Sequence, residues 1–407
     1  MSNTFPMTRA VGCLRDYRER FVLPEGVIYL DGNSLGALPK ATEPRVREVI
    51  AAQWGKDLIK SWNLHDWIGL PRRVGAKIAR LIGAKDHEVV VADSTSLNVF
   101  KALHAALGHQ PGRRVILSDD GNFPTDLYMA QGLARTLGNG VTLKVVAPEA
   151  VADALDDSVA VLMLTEVDYR TGRLHDMGKL TKAAHSVGAV TVWDLAHSAG
   201  AIPVDLAGAD ADFAVGCTYK YLNGGPGAPA FIYVASRHAE VALPALSGWM
   251  GHAAPFAFDL DYKPGSGIER MRVGTPPILA LAALDAALDA WEGVSLADVR
   301  RASIRLSERF IAEAEARCPG LVLASPRDPT QRGSQVSFRH PEGYAIMRAL
   351  IDRGVIGDFR APDALRFGFT PLYLDEAEVV KAVEILETVM AQRLWDRDDY
   401  RRKEAVT

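Results

Sequence analysis

The chain has 407 residues, 48% of them hydrophobic and 24% charged, the balance of an ordinary globular protein with a large domain and a smaller one. Its net charge of −4 is spread over both halves without a basic stripe, which argues against nucleic acid or an anionic membrane surface as partner. Three scattered cysteines, Cys13, Cys217 and Cys318, suggest no disulfide or zinc framework and fit a reducing cytosol.

In chain order, Met1–Ala10 lacks a basic stretch followed by an apolar one, so no signal peptide is expected and the protein reads as cytoplasmic. Val46, Val49, Ile50 and Trp54 form a helical stripe, with Pro44 near its start. From Glu88 to Val234 one rhythm repeats: a short β-branched run, a turn, then an amphipathic stretch. The apolar runs are Val89–Val91, Val115–Leu117, Val141–Val146, Val159–Leu164, Val190–Trp193, Phe213–Val215 and Phe231–Val234. Such runs suit strands covered on both faces. Helices are expected between them at Leu97–Leu107, Thr125–Leu137 and Lys179–Val187. The alternation predicts an α/β fold with a seven-stranded, mostly parallel, doubly wound sheet.

Further on, Ile278–Leu288 is the best candidate for a membrane span. It falls short of the ~20 residues needed, is broken by Asp285, and reads as a packed helix. Helices are expected at Leu281–Trp291, Leu296–Arg317, Tyr344–Asp352 and Glu376–Gln392, with strands near Gln335–Phe338 and Leu365–Phe367. The expected division is an N-terminal segment, 1–60, serving the small domain and the site's edge. A large α/β domain, 61–292, a small α+β domain, 293–395, and a charged, mobile tail, 396–407, follow.

Ligands of open α/β sheets bind beyond the C-terminal strand ends, and polar residues gather there. Trp193-Asp194-Leu195-Ala196-His197 follows the fifth strand and Gly216-Cys217-Thr218-Tyr219-Lys220 the sixth. Asp93-Ser94-Thr95-Ser96 follows the first and Asn122-Phe123-Pro124-Thr125-Asp126 the second, each opening a helix. Pyridoxal phosphate needs such a set. Lys220 supplies a Schiff-base amine, and Asp194 an acid that keeps the ring nitrogen protonated. Thr95 and Ser96 supply hydroxyls at a helix N-terminus for the phosphate, and Phe123 a ring to stack on the pyridine. Taken singly, Lys220 reads as a solvated surface residue, Asp194 and Thr95-Ser96 as helix caps, and Phe123 as core. Their convergence at successive strand ends carries the cofactor assignment. A dinucleotide-binding dehydrogenase fails because Asp93–Asn98 contains no glycine.

The segments Asp194-Leu-Ala-His197, Tyr219-Lys220 and Asn223-Gly-Gly-Pro-Gly227 resemble fold-type I pyridoxal-phosphate enzymes of the aminotransferase class V group. Within that group the chain resembles kynureninases over nearly its full length. The stretches that carry this are Leu30-Asp-Gly-Asn-Ser-Leu-Gly36, Ser61-Trp-Asn63, Asn122–Asp126, Gly248-Trp-Met-Gly-His252, Gly274-Thr-Pro-Pro-Ile278 and Leu365-Arg-Phe-Gly-Phe-Thr-Pro371.

The resemblance implies hydrolysis of the Cβ–Cγ bond of L-kynurenine to anthranilate and L-alanine, a reaction of tryptophan catabolism. 3-Hydroxykynurenine is expected to be the poorer substrate, because Trp62 and Thr275 stand where enzymes preferring it carry smaller or polar groups. Lys220, Tyr219 and Asp194 are implied as catalytic, Tyr219 also as phosphate ligand; the sequence does not identify the base for the attacking water, for which Tyr219 is the candidate. Asp126 is implied beside the ring, and His197 and Thr165 around the cofactor. Arg366 is implied as clamp for the substrate carboxylate, with Trp62, Ser34 and Asn33 also contacting substrate. Trp249 and Thr275 are implied to reach the phosphate of a neighbouring subunit, hence a homodimer with shared sites. A cysteine desulfurase shares the Asp-x-x-His and Lys pattern and is the alternative, but none of the three cysteines is placed as its nucleophile. A non-catalytic cofactor-binding regulator would have no need to keep Lys220, Asp194, Asp126 and Arg366 together.

Overall fold

The computed structural model describes residues 14–404; Met1–Ala10, Cys13 and Ala405–Thr407 lie outside the described residues. Each of the seven apolar runs forms a strand of one sheet: β1 (Val89–Val91), β2 (Val115–Asp119), β3 (Thr142–Val146), β4 (Val159–Thr165), β5 (Val190–Asp194), β6 (Phe213–Gly216) and β7 (Phe231–Val234). Their order is β1-β7-β6-β5-β4-β2-β3. β7 runs antiparallel to both β1 and β6, and the other pairings are parallel.

Strand periodicity sorts the side chains between the two faces. Val161 and Met163 of β4 pack on one face with helices Thr95–Gly108 and Pro124–Leu137. Leu162 and Leu164 pack on the other with helices Leu70–Leu81, Met177–Ser186 and Ile278–Leu288. β3 departs from expectation. It has one strand neighbour, and none of its residues is fully buried. An edge strand has no second partner and less helix above it, so an apolar run there stays half wet.

A second, antiparallel sheet lies toward the C-terminus: β8 (Val322–Leu323), β9 (Gln335–Arg339), β10 (Asp358–Arg360) and β11 (Ala364–Gly368), in the order β8-β9-β11-β10. Helix Leu296–Arg317 lays Phe310 against Phe338, Phe367 and Phe369, with ring centroids 4.7–6.2 Å apart. The N-terminal strand Ile28–Tyr29 pairs in parallel with Val355–Ile356, which ties the start of the chain to this second unit.

Two further expectations meet a different detail. The stripe Val46–Trp54 is helical as expected, with Val49 buried and Ile50 and Trp54 44% and 57% exposed. The helix that starts at Thr42 turns into a π-helix over Val49–Asp57, and its wider turn breaks the 3.6-residue register that the stripe presumes. The charged tail is not loose as far as Glu404. Tyr400 buries its ring and donates to Asp352 Oδ2 at 2.8 Å, and Arg348 pairs with Glu404 at 2.9 Å. One aromatic docked on helix Gly343–Ile351 is enough to anchor an otherwise polar run.

Among the described residues no helix is long and apolar enough to cross a membrane. Phe310→Ala is expected to cost roughly 3–5 kcal/mol, because it leaves a cavity among three phenyl rings that cannot collapse. Chemical denaturation followed by tryptophan fluorescence measures it.

Candidate active site

Beyond the C-terminal ends of β4, β5 and β6 lies a cavity of about 880 Å³, walled on one side by the N-terminal segment and on another by the second sheet. Asn33 and Ser34 enter from the N-terminal segment, and Thr95 and Ser96 from the start of helix Thr95–Gly108. Phe123 and Asp126 come from the start of helix Pro124–Leu137, Thr165 from β4, Asp194 and His197 from β5 and the turn after it. Tyr219 and Lys220 come from the loop after β6, and Arg366 from β11.

The floor of the cavity carries two carboxylates. Asp194, at the last position of β5, is buried and accepts from the Ala196 N–H at 2.8 Å. Burial pushes its carboxyl up to about 6, against the pull of Lys220 nearby. Asp126 is fully buried one turn into its helix. Neither of its oxygens has a hydrogen-bond partner, since the Thr165 hydroxyl is given to Asn122 Oδ1. Burial first, then the Asp194 charge, holds Asp126 well above the usual carboxylate range. A buried carboxylate pair in which Asp126 has no partner calls for a cation with an N–H donor, and a protonated ring nitrogen fits.

Lys220 Nζ lies 2.9 Å from His197 Nε2. Burial, then Lys220, holds His197 well below the ordinary imidazole value, so the uncharged ring accepts from the amine. The Lys220 loop is clamped from above. Gly36 N–H donates to Tyr219 O at 2.8 Å, and a side chain at Gly36 would collide with Lys220 O. Asn223, in the left-handed region at φ 61°, donates its amide to Ala37 O at 2.9 Å. The Tyr219 phenol is pushed up by Cys217 beside it and by burial, so it holds its proton here.

The phosphate end is built at a helix start. Ser94 caps helix Thr95–Gly108 and takes Leu97 N–H, leaving the first-turn N–H groups of Thr95 and Ser96 for an anion. Asp93, at φ 53°, is held by the fully buried Lys101 at 2.6 Å, which also donates to Met271 O at 2.6 Å. Ser96 and Thr125 hydroxyls meet at 3.2 Å. Phe123 is 42% exposed, its ring packed edge-on against Tyr169 at 5.0 Å.

Three expected site residues stay off the cavity wall within one chain. Trp62 packs edge-on against Trp67 at 5.7 Å. Trp249, 43% exposed, packs against Phe256 at 5.7 Å. Thr275 is exposed, two residues before Pro277, which does line the cavity.

Arg366 is 1% exposed, and Asp358 occupies its fork: Nε donates to Oδ1 at 2.6 Å and Nη2 to Oδ2. Sequence reasoning missed Asp358, Arg360 and Asp31. Alternation along Asp358-Phe359-Arg360 was the available signal, since it sets both charged residues on one sheet face. Asp31 stands inside the Leu30–Gly36 stretch, where nothing local distinguishes it from a turn carboxylate.

A family model described as the kynureninase C-terminal domain matches residues 299–386. A kynureninase from Pseudomonas fluorescens is 51% identical over 401 residues, 97% of this chain and 96% of that protein. The chain belongs to the kynureninase family. It is a pyridoxal-phosphate-dependent hydrolase, and the cavity has the groups this cofactor needs. Among solved structures, the apo cysteine desulfurase of Thermococcus onnurineus NA1 superposes with a TM-score of 0.79 at 22% identity, over 95% of this chain and 100% of that one. A mutant of C-DES with glycine covalently linked to its PLP cofactor gives 0.77 at 19% identity, over 91% of this chain and 98% of that one. These likenesses describe the fold, fold-type I, and not the reaction.

Neither cysteine among the described residues suits a desulfurase. Cys217 is buried against Ala196 O at 3.7 Å and Cys318 is buried at a helix end, and burial pushes both thiols up. Both stay protonated and poorly nucleophilic at neutral pH.

The carboxylate pair makes a testable demand on stability. Asp194 titrates near 6 in the folded chain against an ordinary 3.8, so folding takes up a proton between those values. The stability contributed by the neutral carboxyl is intact below pH ~4 and lost as pH rises through 6. Asp194→Asn protein prepared without cofactor is therefore expected to match the wild type at pH 4 and to exceed it by up to about 3 kcal/mol at pH 8. Denaturant titrations at the two pH values measure the difference.

Proposed function

We propose that this chain hydrolyses the Cβ–Cγ bond of L-kynurenine, releasing anthranilate and L-alanine. The observation that carries this is the buried carboxylate pair, Asp194 and the unpartnered Asp126, facing Lys220 in a cavity whose far wall holds a buried arginine.

Bound here, pyridoxal phosphate supplies an electron sink for the bonds made and broken at the substrate's Cα and Cβ. The residues do the rest. Asp194 and Asp126 would take the ring nitrogen's N–H and hold its proton. Thr95 and Ser96 would hold the phosphate at their helix start, and Phe123 would cover the ring. Lys220 would hold the cofactor and move the proton at the substrate's Cα. His197, kept uncharged, directs the Lys220 amine by accepting from it at 2.9 Å. Arg366 faces the substrate's carboxylate end, and Ser34 beside it donates to Asp358 Oδ2. Asn33, fully buried with both amide atoms unpartnered, offers a donor and an acceptor to the substrate. As water adds to Cγ and the Cβ–Cγ bond breaks, Tyr219 would donate a proton to Cβ and recover the one the water gives up, and Thr165 steadies the loop that carries Phe123 through Asn122.

On this reading the enzyme works as a cytoplasmic homodimer. The second copy brings Trp249 and Thr275 to the phosphate. The exposed apolar residues Ile50, Trp54, Leu58, Ile59, Phe256 and Phe258 suit contact with a like chain. The two sheets mark the two domains, with residues 61–292 around the large one and 293–395 around the small one.

Cofactor-loaded protein mixed with L-kynurenine is expected to release anthranilate, read by its fluorescence. Lys220→Ala should lower the rate by at least about 10³-fold, since both the covalent link and the Cα proton transfer are lost. Sulfide from L-cysteine in place of anthranilate would move the assignment to the desulfurases. Because Trp62 and Thr275 stand where family members preferring 3-hydroxykynurenine carry smaller or polar groups, kcat/KM for L-kynurenine is expected to exceed that for 3-hydroxykynurenine, and steady-state kinetics on both decides it.

A further inference from the structure

Strand geometry places two arginines, not one, at the carboxylate end of the cavity. Asp358 of β10 stands directly opposite Arg366 of β11 in the register, and Arg360 follows two residues later, opposite Ala364. Side chains two apart on a strand share a face, so Asp358, Arg360 and Arg366 all project to the same side. That side is the cavity, which both arginines line. Leu365 and Phe367, on the opposite face, are buried in the apolar core.

One carboxylate serves both guanidiniums. Asp358 accepts from Arg366 through both oxygens and pairs with Arg360 Nη2 at 2.9 Å. Arg366 also donates through Nη1 to Tyr169 O and through Nη2 to Ser34 Oγ at 3.1 Å. Arg360 is held less tightly. Its side chain is 33% exposed, and its other bonds run to the carbonyl of the adjacent Phe359 at 3.0 Å and to Ser34 Oγ at 3.5 Å. Desolvation of Arg360 is therefore offset by half of a shared carboxylate and little else.

The remaining acid nearby does not balance the charge. Asp31 lines the same end of the cavity, with Oδ1 buried and unpartnered. Burial, then the Asp358 charge, pushes Asp31 up to about 7, while Ser34, Arg366 and Arg360 pull the other way. Below that pH, Asp358 alone faces two cations. The cluster then carries one positive charge in excess, which matches a monoanionic carboxylate.

We propose that Arg360 is a second substrate-binding arginine, taking the α-carboxylate of the amino-acid substrate jointly with Arg366. Asp358 is the positioning residue that aligns both guanidiniums for it. A planar carboxylate with two oxygens can bridge two guanidiniums, and each charge-assisted bond adds orientation at Cα as well as affinity. This rests on the kynurenine-hydrolase reading above, because it takes the substrate to be an α-amino acid entering with its amine toward Lys220.

The test compares the cofactor-loaded wild type with Arg360→Gln and Arg360→Lys. L-Kynurenine is the substrate, and kynuramine, which lacks the carboxylate, is the competitive inhibitor. Arg360→Gln is expected to raise KM for L-kynurenine by roughly 10-fold or more, with kcat changed by less than about threefold, the signature of lost ground-state binding. The inhibition constant of kynuramine should stay within about twofold of wild type, and Arg360→Lys should fall between. Equal weakening of both ligands would make Arg360 a shaper of the pocket and overturn the proposal. An unchanged KM would leave the carboxylate to Arg366 alone and overturn it too. Wild-type protein that releases no anthranilate defeats the functional reading instead. Calorimetric binding of L-phenylalanine and its decarboxylated twin, 2-phenylethylamine, to the same variants then decides the arginine, expected if only the amino acid weakens and rejected otherwise.

Discussion

Two carboxylates buried within reach of each other, with a single backbone N–H donated to the pair, set the terms for the rest of the molecule. Asp126 and Asp194 are held where water cannot solvate them, and their mutual repulsion raises the cost further. Such a pair persists only in a scaffold stable enough to hold it and a function that needs it. A protonated ring nitrogen converts both penalties into attraction. Affinity for the cofactor and its electronic tuning therefore come from the same interaction.

The scaffold supplies rigidity where this pair needs it. Asp194 ends the central strand β5, flanked by β4 and β6, and its residues are all buried. Asp126 lies in the first turn of a helix that begins with Pro124, whose fixed backbone suits a helix start. Lys220 is on a loop instead, and a loop needs a clamp. The N-terminal segment provides it through Gly36 on Tyr219 O and Ala37 on Asn223. The same segment pairs with Val355–Ile356 and carries Asp31, Asn33 and Ser34 into the cavity. Residues near the start of the chain thus couple the lysine loop to the arginine sheet.

Much of this was legible in the sequence, and the reasons differ by residue. The strands could be read because β-branched runs between turn residues need no tertiary information to be recognised. Asp194, Lys220, Thr95 and Asp126 could be read because a parallel sheet delivers whatever follows each strand to one edge. The Val46–Trp54 stripe announced a helix but not its π-helical half, because periodicity assumes 3.6 residues per turn. The tail misled because composition weighs its many charges and overlooks Tyr400. Asp358 stayed hidden for a different reason. Its role is set by the register between β10 and β11, and pairing across strands is not written in either strand alone.

The desulfurase-like structures share this scaffold at 22% identity or less, so the fold cannot be what selects the reaction. Selection falls to what projects inward from outside the large sheet. Here the second sheet turns Asp358, Arg360 and Arg366 toward the cavity and offers no thiol, while the cysteine that does line it, Cys217, is buried against a backbone carbonyl. The reaction of this chain is thus a matter of the residues that its second sheet and N-terminal segment turn inward, which a shared scaffold leaves free to differ.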